Sequence, residues 1–173
     1  MKRLLLFVFL FVSTAFPQQG RLIKNPLREL PVWARLAFTR QKLDSRFAIT
    51  LERYPHLLKG DFNADNRRDV ALQITDLAGG SQGIAIMHAP RPQAEQIRIV
   101  IIGAGVSSPE FPENLKAYPH WSILPNDEID GTGLPRELKG DAIRLQKSDS
   151  SGAYIYWDGK KYQWQPFRRK TPR

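Results

Sequence analysis

The sequence predicts an α+β fold that is mainly β: an antiparallel sheet with a packed N-terminal helix, in a single domain that is not a full propeller. Three observations predict it. Pro31 to Leu43 repeats its apolar residues at helical spacing. From Phe47 onward the apolar period falls to two, in short runs. Turn-forming clusters, such as Gly79-Gly80-Ser81 and Ala89-Pro90-Arg91-Pro92, separate those runs.

The helix comes first. Asn25-Pro26 and Pro31 are helix-start signals, because a first-turn residue needs no N–H partner and proline already holds a helical φ. Val32, Trp33, Leu36, Ala37 and Leu43 form a stripe expected to cover the sheet, while Arg35, Arg40 and Lys42 fall mostly off it.

The strands follow. Phe47, Ile49 and Leu51 alternate with Ala48, Thr50 and Glu52. Val70, Leu72 and Ile74 alternate with Ala71, Gln73 and Thr75, and Ile84 and Ile86 with Ala85 and Met87. Ile97 to Ile102 is apolar apart from Arg98, which predicts a central strand buried on both faces. Residues 103–140 carry Pro109, Pro112, Pro119, Pro125 and Pro135, and read as a long excursion with one short helical turn near Glu113 to Tyr118. Ile143 and Leu145 mark a further strand.

Asp158-Gly159 reads as a two-residue hairpin turn, since both positions accept positive φ. Pairing outward sets Trp157 opposite Lys160, Tyr156 opposite Lys161, Ile155 opposite Tyr162 and Ala153 opposite Trp164. Ala153, Ile155, Trp157, Tyr162 and Trp164 then share the core face. Tyr154, Tyr156, Lys161 and Gln163 share the other, expected to be open to water. Tyr154, Tyr156 and Lys161 are a candidate ligand face for sugar or peptide, beside the plainer reading of cross-strand packing.

The ends bound the compartment. Lys2 and Arg3, the apolar run Leu4 to Val12, and Ser13-Thr14-Ala15 have the layout of a secretory signal peptide over residues 1–15, with 19 as the outer limit of cleavage. The run is shorter than the roughly 20 residues that cross a bilayer. The expectation is an exported protein, periplasmic or extracellular, with no transmembrane segment after signal removal. Residues 16–24 read as a linker, 25–166 as one globular domain and 167–173 as a basic tail. The tail is either a solvated end or a contact for anionic polymers and membrane surfaces.

Zero cysteines exclude disulfides, thiol nucleophiles and thiolate metal sites. Without Lys2 and Arg3 there are 24 basic residues against 17 acidic, a net +7. Nucleic acid is not the expected partner, since no helix-turn-helix or zinc-finger spacing is present.

Leu58 to Asp69 carries the most specific signal. Asp61, Asn63 and Asp65 stand at alternate positions, with Asp69 four residues on. Calcium takes six to eight oxygens at about 2.3–2.6 Å, which a short chain supplies by curling around the ion. Counted from Asp61, the backbone carbonyl of Arg67 falls at position 7 and Asp69 at position 9. Position 12, where an EF-hand needs Glu, is Leu72, and no helix pattern flanks the loop.

Gly60-Asp61-Phe62-Asn63-Ala64-Asp65-Asn66-Arg67-Arg68-Asp69-Val70-Ala71 resembles the FG-GAP or VCBS repeat motif, Gly-Asp-Phe-Asn-Gly-Asp-Gly-x-x-Asp-hydrophobic-Ala. The resemblance covers about twelve residues and implies a calcium ion held by Asp61, Asn63, Asp65, Asp69 and the Arg67 carbonyl. The chain departs from the motif at Ala64 and Asn66, where the family has glycine. Asn is the best non-glycine residue for positive φ. The other reading of the same residues is a loop held by its own hydrogen bonds. A propeller needs several blades, each with its own motif, and only one is present. Leu58-Lys59-Gly60-Asp61 does recur as Leu138-Lys139-Gly140-Asp141, without further ligands. The layout is similar to that of small secreted bacterial proteins of unknown function with a lone motif of this kind. No activity carries over.

Catalytic patterns are sparse. His56, His88 and His120 are far apart, and no Gly-x-Ser-x-Gly elbow exists. Gly103-Ala104-Gly105 has Ser108 at the third glycine position of a dinucleotide loop, followed by proline. Asp127, Glu128 and Asp130 form a secondary acidic cluster: a solvated turn, an acid–base pair for glycans, or extra metal ligands. The leading expectation is a non-catalytic binding or structural domain with one calcium loop, its partner a protein or an anionic envelope polymer. The alternative is a small cell-envelope hydrolase or inhibitor acting through residues 103–140.

Overall fold

The computed structural model describes residues 26–92 and 96–168. The expected signal peptide and linker, and residues 169–173, lie outside the described residues. Among those described, nine strands form two antiparallel sheets, with one α-helix, α1 (Val32–Arg40). The first sheet holds β1 (Phe47–Ile49), β2 (Leu57–Gly60), β3 (Asp69–Asp76), β4 (Gln82–Met87) and β5 (Ile99–Gly103). Its order is β1-β3-β4-β5, and β2 also pairs with β3, so β1 and β2 lie end to end along one side of β3. The second sheet is the meander β6 (His120–Leu124), β7 (Ala142–Ser148), β8 (Ser151–Trp157) and β9 (Tyr162–Arg168). The architecture is mainly β with no propeller or closed barrel, and it splits into two sheets where one was expected.

The sheets face each other across a core of Phe62, Ala71, Ile84, Ile86, Ile143, Leu145 and Ile155. On the outer face of the first sheet, Val70, Leu72, Ile74, Ala85 and Met87 meet Leu30, Ala34 and Phe38 from the helix and its approach. Period-two alternation therefore feeds two cores at once. β3 and β4 are buried on both faces because each face has an apolar partner.

Several expectations are corrected. The buried side of α1 is Ala34, Ala37 and Phe38, while Val32 is 61% and Leu36 44% exposed. The helix is apolar on several sides, and the arc ending in the Phe38 ring offers more surface to bury. Residues 99–103 form an edge strand, not a central one. Val100 and Ile102 face the sheet–sheet core and Ile99 and Ile101 the helix side, which explains the unbroken apolar run. The excursion is interrupted by β6. Its first part holds a hydrogen-bonded turn, Tyr118 N to Leu115 O at 3.0 Å, in place of a helical turn. Buried Arg53 fastens it, donating to Tyr118 O at 2.6 Å and Leu115 O at 2.8 Å. Phe167 and Arg168 belong to β9, so the tail begins later than residue 167.

The final hairpin pairs Trp157 with Tyr162, Tyr156 with Gln163 and Ile155 with Trp164, two residues away from the expected register. Gly159 has φ +99°, but Asp158 is not left-handed, so the two-residue turn does not form. The Asp158 carboxylate instead accepts from Lys160 N and Lys161 N, each at 2.8 Å, closing a longer loop. A shift of two preserves side-chain parity, so the expected core face survives.

Candidate functional site

The turn between β2 and β3 is built by its own side chains. Asp61 accepts hydrogen bonds from Asp65 N at 3.0 Å and Asn66 N at 2.8 Å. Asn63 Oδ1 accepts from Asp65 N, and Asp65 Oδ1 from Arg67 N, both at 3.1 Å. Short oxygen-bearing side chains curl a backbone in this way because they satisfy its N–H groups locally. Ala64 has φ +59° and Asn66 φ +63°. The two residues that depart from the repeat motif thus adopt the left-handed conformation that its glycines would supply. Asn tolerates it, whereas Ala is strained there by about 1–2 kcal/mol.

Asp69 opens β3 and is fully buried. Its carboxyl group accepts from Phe62 N at 3.1 Å and Ala89 N at 2.7 Å. Burial pushes its pKa up to about 7; Asp65 and Asp61 push the same way, and the two N–H donors oppose them.

The second Leu-Lys-Gly-Asp segment docks on the first. Asp141 N donates to Asp61 O at 2.7 Å, and Asp61 N to Asp141 Oδ2 at 2.9 Å. Asn126 N reaches Asp141 Oδ1 at 3.3 Å, and its side-chain amide reaches Lys139 O at 2.6 Å. A Cβ at Gly140 would lie 2.7 Å from Asp61 O, so the approach needs glycine. This clasp ties the loop to the second sheet. Its only signal in the sequence was the repeated tetrapeptide.

The loop stands between two cavities. One, of about 340 Å³, is lined by Asn63, Asp65, His88, Arg91, Arg98 and Trp157 among others. The second, of about 580 Å³, includes Asn63, Ala64, Glu137, Lys139, Tyr156 and Trp157. His88 Nε2 and the Tyr162 hydroxyl share a hydrogen bond of 2.8 Å. Burial, then the Arg98 charge, lowers His88 to about 4. Burial raises the Tyr162 hydroxyl far above its usual range. Arg91 Nε pairs with Asp65 Oδ2 at 3.4 Å.

The donor set is all hard oxygen, which suits calcium. A cation would offset the mutual repulsion of three neighbouring carboxylates. As described, those carboxyls point at backbone N–H groups, and among the described residues no three His, Cys, Asp or Glu converge as a metal-binding group. Each hydrogen-bonded carboxylate oxygen keeps a further lone pair, so the donors retain capacity.

The other candidate residues are dispersed. Tyr154 is buried and stacks on Phe167 at 4.6 Å, beneath Ile129, Leu134 and Leu138. The expected wet face is covered at Tyr154 because residues 124–138 fold over it with apolar side chains of their own. Tyr156 is half-buried and lines the larger cavity. Lys161 sits in the hairpin loop and pairs with Glu110 at 2.8 Å. Asp127, Glu128 and Asp130 are exposed on the segment 126–130. Glu128 and Asp130 border a third concavity of about 440 Å³ with Arg144 and Arg168. The segment's bonded link to the Asp61 loop runs through Asn126 and Asp141.

Comparison with protein-family models, with curated proteins and with solved structures returns no match. The class is therefore the one the geometry defines: a two-sheet β domain with an acidic, left-handed turn clasped between its sheets.

Proposed function

We propose that the chain is a non-catalytic binding or structural domain of an exported protein, whose Asp61–Asp69 loop takes one calcium ion beside a site for an anionic envelope polymer. The observation that carries the reading is the left-handed backbone at Ala64 and Asn66, kept in spite of the missing glycines. Asp61, Asn63, Asp65 and Asp69 would hold the ion through side-chain oxygens and Arg67 through its carbonyl. The ion would supply charge neutralisation and stiffen the approach to β3. The rest is the chain's own work: Asp61, Asn63 and Asp65 curl the loop, and Asp141 clasps it to the second sheet. The cavities beside it present guanidinium, amide and aromatic groups, which suit binding.

Calcium titration followed by thermal melting tests the loop. Extracellular calcium modules bind at roughly 10⁻⁴–10⁻³ M. At about 10 mM calcium, mass action then stabilises by about 1.4–2.7 kcal/mol, a rise of roughly 3–10 °C for a chain of this size. Asp65→Ala is expected to abolish the rise. No shift in the wild type, or an equal shift in the variant, overturns the loop reading.

A further inference from the structure

The cavity beside the loop carries a feature the loop does not use. The Arg98 guanidinium lies over the Trp157 ring, 4.9 Å from its centroid. Such stacking holds the cationic fork in place and leaves its N–H edge free. Arg91, on the same cavity, is paired with Asp65. Among the described residues no carboxylate forms an ion pair with Arg98. His88 closes one side, edge-on to Trp157 at 5.9 Å between ring centroids. Among the described residues the cavity thus offers an oriented cation without an ion-pair partner, against an indole, with the amides of Asn63 and Gln96 beside it.

That combination suits an acidic sugar. A guanidinium fork recognises a carboxylate through paired N–H donors. An indole provides an apolar body for a sugar ring, and side-chain amides serve hydroxyls from either end of the bond. The wall of Asn63, Trp157 and Gly159 also bounds the second cavity. A ligand seated at Arg98 therefore has a continuing path past Tyr156, Lys139 and Gln163. Both spaces fall within or near the roughly 300–1,000 Å³ of small-ligand sites.

We infer that the Arg98–Trp157 cavity is a site for an acidic sugar chain, with Arg98 taking the sugar carboxylate and the chain extending across Asn63 into the neighbouring cavity. The inference rests on the reading that the partner is an anionic envelope polymer, and it adds the place and the recognising group. It does not depend on calcium.

Isothermal titration of the full-length chain, in chelator and at low salt, tests it. The probe is a six-residue oligosaccharide carrying glucuronate carboxylates. Its carboxyl-reduced counterpart and an oligoglutamate of equal charge are the controls. The acidic oligosaccharide is expected to bind at least tenfold more tightly than either control, and to weaken as salt rises. Arg98→Gln is expected to bind it roughly 10- to 100-fold more weakly, with Arg98→Lys in between. Arg98 is exposed, so the melting temperatures of both variants should stay within a few degrees of the wild type. No binding of the acidic oligosaccharide, equal binding of the carboxyl-reduced form, equal binding of oligoglutamate, or an unaffected Arg98→Gln variant each overturns the inference. Because the titration is run without calcium, its outcome is independent of the melting experiment on the loop.

Discussion

Gly140→Ala probes the clasp between the two Leu-Lys-Gly-Asp segments. The added Cβ would meet Asp61 O at 2.7 Å and Ala64 N at 3.0 Å. Both are backbone atoms, so no rotamer change makes room. They belong to a loop already pinned by the Asp61 carboxylate and by the left-handed residues 64 and 66. Relief requires the segments to separate by roughly half an ångström, a distance over which close packing is lost. That movement strains the 2.7 Å bond from Asp141 N to Asp61 O. Overpacking of this kind costs about 1–3 kcal/mol, and the bond adds about 1. The expected loss is about 2–4 kcal/mol, or a fall in Tm of roughly 4–16 °C. Gly60→Ala is the internal comparison. Its closest contact, at 2.7 Å, is Asp141 Oδ2, the oxygen that accepts from Asp61 N, so it presses on the side-chain half of the same clasp. Urea unfolding at fixed pH gives both values from the midpoints if the slopes agree. A Gly140→Ala loss under about 0.5 kcal/mol refutes the clasp as the tie between loop and second sheet.

Two further outcomes follow from the same geometry. Ala64→Gly should stabilise: relief of about 1–2 kcal/mol of left-handed strain exceeds the roughly 0.4–1 kcal/mol of extra chain entropy, leaving about 0.5–1 kcal/mol in the same urea assay. A destabilised glycine variant would mean that the Ala64 side chain contributes packing that outweighs its strain. His88 sets a pH dependence. Its pKa is lowered from 6.5 to about 4 in the fold, so the unfolded chain takes up a proton first as pH falls. The His88 contribution to stability is present above about pH 6.5 and is lost between there and pH 4, by at most about 3 kcal/mol, while Asp69, raised to about 7, contributes with the opposite sign over the same range. His88→Gln should remove the part of the profile that rises with pH across that window, leaving the falling Asp69 contribution unopposed, and an unchanged slope would refute the assignment.

How much of this was legible in advance depends on the range of the interaction. Period-two runs identified the strand cores at 70–75 and 84–87, because alternation is a property of the strand itself. The spacing of Asp61, Asn63 and Asp65 marked a curled loop, because those side chains act on N–H groups two to five residues away. The face of the last hairpin was legible although its register was not, since a slip of two residues keeps parity and only the turn's backbone angles decide the count.

Which partner each face would find was not written locally. Val32 and Leu36 fit a helical stripe, yet Phe38 won the contact with the sheet because α1 can present only one side to it. Ile99 to Gly103 reads as a central strand, yet it ends at an edge, since apolar faces say nothing about which strands stand beside them. Tyr154 reads as wet until residues 124–138 fold across it. The raised Asp69 carboxyl, the Asp61–Asp141 clasp and the cavity under Arg98 all join segments distant in the chain. Sequence by itself determined the local conformations, because periodicity and short side-chain bonds act within a few residues. Tertiary structure alone decided burial, strand order and the neighbours of each charge, because those depend on which distant surfaces exclude water together.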